Sequence, residues 1–164
     1  MTLRAYLDTC IVSGLAKGDL TDADAAALLR ILQAQKAGAL DLVTSEVTST
    51  ELSAIPPEFR MKHEVIYNLL ADVPSAPTHQ TDSGLTLMGV GGGRREEPLF
   101  TELKKVLPDL GDAAHVFQAA RNSVSALITV DRRTFISRAA QIAQLCGVQV
   151  VGPAQFASVH LRQG

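Results

Sequence analysis

Cysteine and long apolar runs are scarce in this sequence, and each scarcity excludes a class of protein. The two cysteines, Cys10 and Cys146, lie far apart and match neither a disulfide framework nor a cluster of zinc ligands. No apolar stretch approaches the roughly 20 residues that span a bilayer, and the chain does not begin with a basic segment followed by a long apolar run. We therefore expect a soluble, cytoplasmic protein that does not insert into a membrane.

Positive charge is not in excess either. The chain has 15 lysines and arginines against 17 aspartates and glutamates, a formal net charge of −2 and a pI near 6.1. Proteins that bind nucleic acid by broad neutralisation of phosphates carry a basic excess. A nucleic-acid site in this chain must therefore be a local basic patch or depend on a metal ion.

Several hydrolase signatures are missing. The sequence has neither a Gly-x-Ser-x-Gly nucleophile elbow nor a Walker lysine, which disfavours serine hydrolases and P-loop nucleotide hydrolases. The glycines at 89–93 resemble a dinucleotide fingerprint only superficially, because no clear strand precedes them.

The pattern of apolar residues predicts one α/β domain over residues 1–164. Short apolar runs alternate with helical patterns, which is typical of a mainly parallel central sheet flanked by helices. The predicted strands are 3–7, 40–44, 126–130 and 148–151. Helices are predicted from the Thr21 cap to Gly38, at 46–54, 58–70, 97–107, 112–123 and 134–146, and after Pro153. Residues 73–95 are too rich in proline and glycine for a long regular element and are predicted to form a mobile loop.

Acidic residues occur where two predicted parallel strands end. Asp8 follows the first strand and Asp131 follows the third, so both belong to the edge of the sheet where such folds bind ligands. Asp112 opens a predicted helix and Glu51 lies in the helix after the second strand, so both can face the same edge. Carboxylates that converge repel one another unless a cation or a shared proton compensates them. Their oxygen atoms are ligands that suit Mg²⁺ or Mn²⁺.

Each acid also has a purely structural explanation. Asp8 and Asp112 are plausible helix caps, and Asp131 is a plausible turn residue. Glu51 alone would be a solvated helix residue, and Glu46 competes with it for the same role. The joint pattern, in this order along the chain, favours a shared site.

The ordered set of motifs resembles the PIN domain nucleases, especially toxins of the VapC type. The first motif of that family, a strand ending in Asp followed by Thr, is similar to YLDTCIVSGL. The second, with Ser or Thr after the strand and a metal-site Glu near its end, is similar to LVTSEVTSTELSAI. The third and fourth are similar to GDAAHVFQAAR and ALITVDRRTF, and the resemblance extends from about residue 3 to residue 151.

The resemblance implies a PIN-like three-layer fold and a divalent-metal-dependent endoribonuclease that hydrolyses phosphodiester bonds of RNA. It implies that Asp8 and Asp112 are the principal ligands of Mg²⁺ or Mn²⁺. Glu51 would be a ligand or a base that positions water, and Asp131 an outer or second-metal group. The protein would be the toxin of a toxin–antitoxin pair, with RNA, a small antitoxin protein and a second copy of itself as partners.

Other residues are assigned supporting roles. Hydroxyl support is expected from Thr9 and Thr129, and a plain turn or strand role is equally compatible with their positions. Flanking phosphates are expected to contact Arg94, Arg95, Arg132 and Arg133. His115, three residues after Asp112, has a spacing that would let it lean toward the site, but a packed or solvated position on its helix is expected.

The sequence departs from the family at two places. Cys10 stands where the family often has Asn, which removes a polar group that can orient the site. The long 73–95 segment suggests a separate subgroup, so a solitary PIN nuclease outside a toxin–antitoxin pair remains open. A noncatalytic PIN-like module that binds RNA or protein is a further alternative. A phosphatase of the haloacid dehalogenase type is disfavoured, because its usual second Asp corresponds to Cys10.

Overall fold

A four-stranded parallel sheet forms the centre of the protein. The computed structural model describes residues 2–45, 53, 55–83 and 95–161 of the chain. In this part of the chain the sheet has the order β2-β1-β5-β6 and every pairing in it is parallel. Its strands are β1 (Arg4–Leu7), β2 (Asp41–Val43), β5 (Ala126–Ile128) and β6 (Gln149–Val151). The short strands β3 (Asp82–Ser83) and β4 (Arg95–Glu96) form a separate antiparallel pair.

Helices cover both faces of this sheet. They are α1 (Thr9–Lys17), α2 (Asp22–Lys36), α3 (Pro57–Arg60), α4 (Glu64–Ala71), α5 (Pro98–Val106), α6 (Leu110–Arg121), α7 (Ala139–Cys146) and α8 (Pro153–His160). None of the helices in the described part of the chain is long and apolar enough to span a bilayer.

The alternation of side chains along the strands divides the interior into two cores. Ala5 and Leu7 face one core, which they share with apolar residues of α1, α2, α4 and α8. Tyr6 and Leu127 face the other core, which is formed with α5, α6 and α7. Successive residues of a strand point to opposite faces, so a sheet buried on both sides requires helices on both sides. The predicted α/β fold with a mainly parallel sheet is therefore confirmed.

One helix was not predicted. Helix α1 begins directly after Asp8 and buries Ile11, Val12 and Leu15 against the sheet. It ends at Gly18, whose φ of 72° is the left-handed conformation that glycine adopts most easily. Only Asp8 lies between β1 and α1. The apolar run through both elements therefore does not show where the strand ends and the helix begins.

Two predicted helices are shorter than expected. The helix predicted at 58–70 is divided by a 3₁₀ segment, Met61–His63, because His63 leaves the helical region with φ −135° and ψ 36°. The helix predicted at 134–146 begins only at Ala139, after a second 3₁₀ segment, Ile136–Arg138. By contrast, the predicted cap of α2 is confirmed, since Thr21 Oγ1 accepts a hydrogen bond of 3.1 Å from the Asp24 N–H.

The predicted loop at 73–95 has local β pairing at its ends. Ser75 forms a parallel bridge with Thr44, and β3 pairs with β4. Residues 84–94 lie outside the described residues. So does most of the helix predicted at 46–54, including Glu46 and Glu51.

Candidate functional site

The candidate site lies where the order of the strands reverses. From β1, the chain first adds β2 on one side of the sheet and later adds β5 and β6 on the other. A crevice forms at such a point because the two connections diverge, and parallel α/β sheets bind ligands there. Leu7 pairs with Ile128 across this point, and the Asp8 N–H donates to the Ile128 carbonyl at 3.0 Å. Asp8 and Thr129 are therefore the first residues beyond the two strand ends.

Asp8 is a buried carboxylate that does not cap the helix it precedes. It occupies the N-cap position of α1 with an extended backbone, yet its side chain forms no capping hydrogen bond. Only 3% of its surface is exposed, and Oδ2 accepts a hydrogen bond of 2.8 Å from Thr129 Oγ1. Burial of a charged group is unfavourable unless it is paired or hydrogen-bonded. Helix capping therefore does not explain why a carboxylate occupies this position.

The Thr129 hydroxyl connects three residues of the site. It donates its proton to Asp8, and it accepts a hydrogen bond of 3.0 Å from the Asp131 N–H. Its oxygen also lies 3.0 Å from Cys10 Sγ. The Cys10 side chain is hydrogen-bonded to Asp8 as well as to Thr129. Thr129, which is fully buried, thus holds the ends of β1 and β5 in a fixed relation.

Cys10 has a structural place in this network. Its Sγ accepts a hydrogen bond of 3.3 Å from the Val130 N–H. Burial, followed by the negative charge of Asp8, raises the pKa of the Cys10 thiol to about 12. The thiol is therefore protonated at neutral pH and takes part in the hydrogen bonds with Asp8 and Thr129. A polar partner thus remains at the position where Asn was expected.

The cap of α6 is Asp109 rather than Asp112. Asp109 Oδ1 accepts hydrogen bonds from the N–H groups of Gly111 at 2.8 Å and Asp112 at 3.1 Å. The prediction that Asp112 opens the helix is therefore wrong by two residues, since α6 begins at Leu110. The short side chain of Asp109 was not recognised as a cap because Gly111 was read as the residue before the helix. Capping by Asp109 leaves the Asp112 carboxylate available for another role.

Asp112 lies within electrostatic range of the other two described acids. Burial raises its pKa above the ordinary value, and the negative charges of Asp109, Asp131 and Asp8 raise it further. His115 acts in the opposite direction. The fold thus brings Asp112 within electrostatic range of Asp8 and Asp131 at one edge of the sheet, where their charges disfavour the charged form of Asp112.

Asp131 has one carboxylate oxygen in a turn. Its Oδ1 accepts hydrogen bonds from the N–H groups of Arg133 at 2.9 Å and Thr134 at 3.0 Å. The turn explanation weighed from the sequence therefore applies to this oxygen. Its Oδ2 has no hydrogen-bond partner among the described residues.

The donor chemistry of these acids fits a hard divalent cation. Among the described residues, no three His, Cys, Asp or Glu side chains form a group that could hold a metal ion. Glu51 lies outside those residues. Mg²⁺ usually retains several waters and is bound through one or two carboxylates together with substrate phosphates. Asp8 and Asp112 would supply that pair, and their repulsion is what a cation relieves.

A tyrosine–histidine pair borders the carboxylates and was missed in the sequence. The Tyr6 hydroxyl lies 2.8 Å from His115 Nδ1, across 109 positions of the chain. His115 is thus held by a buried partner in β1, where a packed or solvated histidine was expected. The available signals were its spacing of three residues from Asp112 and the position of Tyr6 two residues before Asp8.

Basic residues follow Asp131 on the surface. Arg132 and Arg133 are exposed, and Arg138 Nη1 donates to the carbonyl oxygen of Arg133 at 3.0 Å. Arg138 was not predicted to belong to this region. Two candidates are not placed at the site: Arg94 lies outside the described residues, and Arg95 is the first residue of β4. Thr9 is the first residue of α1.

Comparisons of the chain with protein-family models, with curated proteins and with solved structures gave no match.

Proposed function

We propose that this protein is a divalent-metal-dependent ribonuclease that hydrolyses phosphodiester bonds of RNA at the carboxylate edge of the sheet. The observation that carries the proposal is the placement of Asp8. It is a buried carboxylate at the switch point of a parallel sheet, it caps no helix, and Thr129 fixes one of its oxygens. Asp112 is close enough to interact electrostatically with both Asp8 and Asp131.

The electrostatics of the metal-free site support cation binding. After burial, the negative charges of Asp109, Asp131 and Asp8 raise the pKa of Asp112, and a bound divalent cation would replace this repulsion by attraction. When bound, Mg²⁺ or Mn²⁺ neutralises charge on a phosphate and makes water a stronger nucleophile. Asp8 and Asp112 hold the cation in this proposal, and the Thr129 hydroxyl fixes the rotamer of Asp8. Glu51 is proposed as a further ligand of the cation or as a base that positions water.

RNA is the proposed substrate because its phosphates can bind both the metal ion and the neighbouring arginines. Arg132 and Arg133 are exposed directly after Asp131, so their guanidinium groups can reach phosphates that flank the bond being cleaved. The chain has a net charge of −2, and a local basic surface is therefore needed for a polyanion to approach. Arg94 and Arg95 are proposed to add to this surface.

The ordered motifs favour a nuclease of the PIN type, and a toxin and a solitary nuclease would use the same chemistry. The adjacent reading frame separates these two roles. A toxin would be encoded beside a small antitoxin protein that purifies with it, whereas a solitary nuclease would lack such a neighbour.

The test is a panel of single-stranded and structured RNAs incubated with the purified protein in Mg²⁺, in Mn²⁺ and in excess EDTA. We expect internal cleavage in either metal and none in EDTA. A chromogenic phosphate monoester assayed in parallel distinguishes a phosphatase, which would hydrolyse the ester and spare the RNA. RNA binding with no cleavage in either metal would identify a noncatalytic module and overturn the proposal.

A further inference from the structure

Tyr6 and His115 form a polar pair beside the carboxylates. Tyr6 is fully buried in β1, and its hydroxyl lies 2.8 Å from His115 Nδ1. The two rings meet edge to face, with centroids 6.0 Å apart. His115 is one helical turn after Asp112, so both side chains occupy the same face of α6. The charge of Asp8 acts on Tyr6, and that of His115 acts on Asp112, which places the pair next to the proposed metal site.

The direction of the Tyr6–His115 hydrogen bond follows from the environment of the phenol. Tyr6 is fully buried, and its phenol carries a proton that can be donated. The Ser45 side chain is also hydrogen-bonded to the phenol, as a donor to its oxygen. With Ser45 donating to the oxygen, the phenol proton is directed at His115 Nδ1. With Nδ1 engaged by Tyr6, Nε2 is the ring nitrogen that presents an N–H away from the phenol.

The position of Nε2 is set by the same contact. Because Nδ1 faces the buried Tyr6 hydroxyl, the part of the half-buried ring that reaches solvent is the opposite edge, which includes Nε2. In the part of the chain that the structure describes, Nε2 has no hydrogen-bond partner. A donor is thus oriented at the border of the carboxylate cluster.

The geometry points to His115 Nε2–H as a donor to a non-bridging phosphate oxygen of bound RNA, with Tyr6 and Ser45 as positioning residues. This role rests on the proposed ribonuclease function and adds a contact to the substrate. A contact made equally in the bound substrate and in the transition state lowers KM and leaves kcat unchanged.

Two substitutions of His115 separate this role from a structural one. His115→Asn places a carbonyl oxygen where Nδ1 accepts from Tyr6 and has no group at the position of Nε2. His115→Gln reaches the position of Nε2 with an amide N–H. If the residue served only to satisfy Tyr6, His115→Asn would be the milder change. A substrate contact predicts that His115→Gln is the milder change. His79→Asn, at an exposed histidine, is the matched control.

The measurements are RNA affinity and steady-state kinetics on the full chain. The affinity of a labelled single-stranded RNA is measured by fluorescence anisotropy with Ca²⁺ in place of Mg²⁺, and KM and kcat are measured in Mg²⁺. We expect His115→Asn to weaken RNA binding and raise KM by about tenfold, the effect of losing a hydrogen bond to a charged group, with kcat unchanged. His115→Gln should recover most of the affinity, and His79→Asn should match the parent. Mn²⁺ affinity should be the same for all four proteins.

The outcomes distinguish this inference from the proposed function. If the parent cleaves RNA in Mg²⁺ but His115→Asn binds RNA as tightly as the parent, the ribonuclease stands and the role of His115 is overturned. If the parent binds RNA through His115 but cleaves none in any metal, the proposed activity fails and the contact is retained. Nitrogen-15 chemical shifts of the free protein give an independent readout. A proton found on Nδ1 rather than Nε2 would overturn the positioning role of Tyr6.

Discussion

Thr129 donates a hydrogen bond of 2.8 Å from Oγ1 to Oδ2 of Asp8, which lies 121 positions earlier in the chain. The contact joins the ends of the two neighbouring strands at which the sheet order reverses. The contact restricts the orientation of the Asp8 carboxylate at this edge of the sheet. The orientation of the proposed metal ligand therefore depends on a threonine hydroxyl from another strand.

Replacement of Thr129 by valine should destabilise the protein and impair metal binding. Valine keeps the shape of threonine but removes the donor to Asp8 and the acceptor for the Asp131 N–H. Loss of partners for buried polar groups typically lowers the free energy of unfolding by about 1–3 kcal/mol. Denaturant titration in EDTA measures this change, and calorimetry with Mn²⁺ measures the weaker affinity. Thr129→Ser keeps the hydroxyl and should resemble the parent in affinity. Equal Mn²⁺ affinity of the valine variant and the parent would show that the hydroxyl does not orient the site.

Asp112→Asn should stabilise the metal-free protein at neutral pH. The folded pKa of Asp112 is raised, so the folded state holds this proton more tightly than the unfolded chain does. The stability that Asp112 contributes is therefore lost as the pH rises from its ordinary pKa of 3.8 through the raised value. The amide of the variant does not titrate in this range. The difference in unfolding free energy in favour of the variant should therefore grow as the pH rises.

Urea unfolding of both proteins in EDTA, at a series of pH values from acid to neutral, measures the difference. The variant should also lose RNA cleavage while remaining folded. A variant whose stability relative to the parent falls as the pH rises would mean that the cluster does not repel Asp112.

Cys10 should resist alkylation. Burial and the charge of Asp8 raise the pKa of its thiol to about 12, and the thiolate is the form that reacts. Native protein treated with iodoacetamide at mildly alkaline pH should retain an unmodified Cys10 peptide by mass spectrometry, while urea-unfolded protein is labelled. Labelling of Cys10 at the same rate in both conditions would contradict the burial of the thiol beside Asp8 and Thr129.

Asp109→Ala should weaken α6 without removing a proposed metal ligand. The substitution removes the acceptor for the N–H groups of Gly111 and Asp112, and loss of such a cap costs about 1 kcal/mol. For a chain of this length that corresponds to a decrease in Tm of about 2–4 °C. Asp109→Ser restores an N-cap side chain and should recover most of the loss. An unchanged Tm for the alanine variant would show that the cap contributes nothing to the fold.

The central sheet could be predicted from the sequence because its strands are short apolar runs bounded by polar residues. Buried parallel strands have this signature on their own, and their carboxyl ends place Asp8 and Asp131 at one edge without further information. Helix α1 could not be separated from β1, since the apolar residues continue across the single residue between them. The 3₁₀ segments were missed because they depend on the backbone of His63 and Arg138, which periodicity does not report.

The contacts within the site were harder to predict than its acids. The pairing of Tyr6 with His115 depends on how α6 packs against β1, and no local pattern encodes that distance. The capping role of Asp109 is local, yet the neighbouring Asp112 matches the same signature. Thr129 was identified only as a supporting hydroxyl, and its three contacts appear once β1 and β5 are paired in register.

The most direct measurement is the initial rate of RNA cleavage in Mg²⁺ by the parent, by Asp8→Asn and by Asp19→Asn, prepared side by side. Asp19 is an exposed acid at the far end of α1, so its substitution controls for the loss of one negative charge. Asp8→Asn keeps the shape of the side chain and removes the charge that the cation needs. We predict that the parent and Asp19→Asn cleave RNA at the same rate and that folded Asp8→Asn loses at least about 100-fold, the scale expected when a group that stabilises transition-state charge is removed. Cleavage by folded Asp8→Asn at the parental rate would contradict the assignment of the metal site to this edge of the sheet.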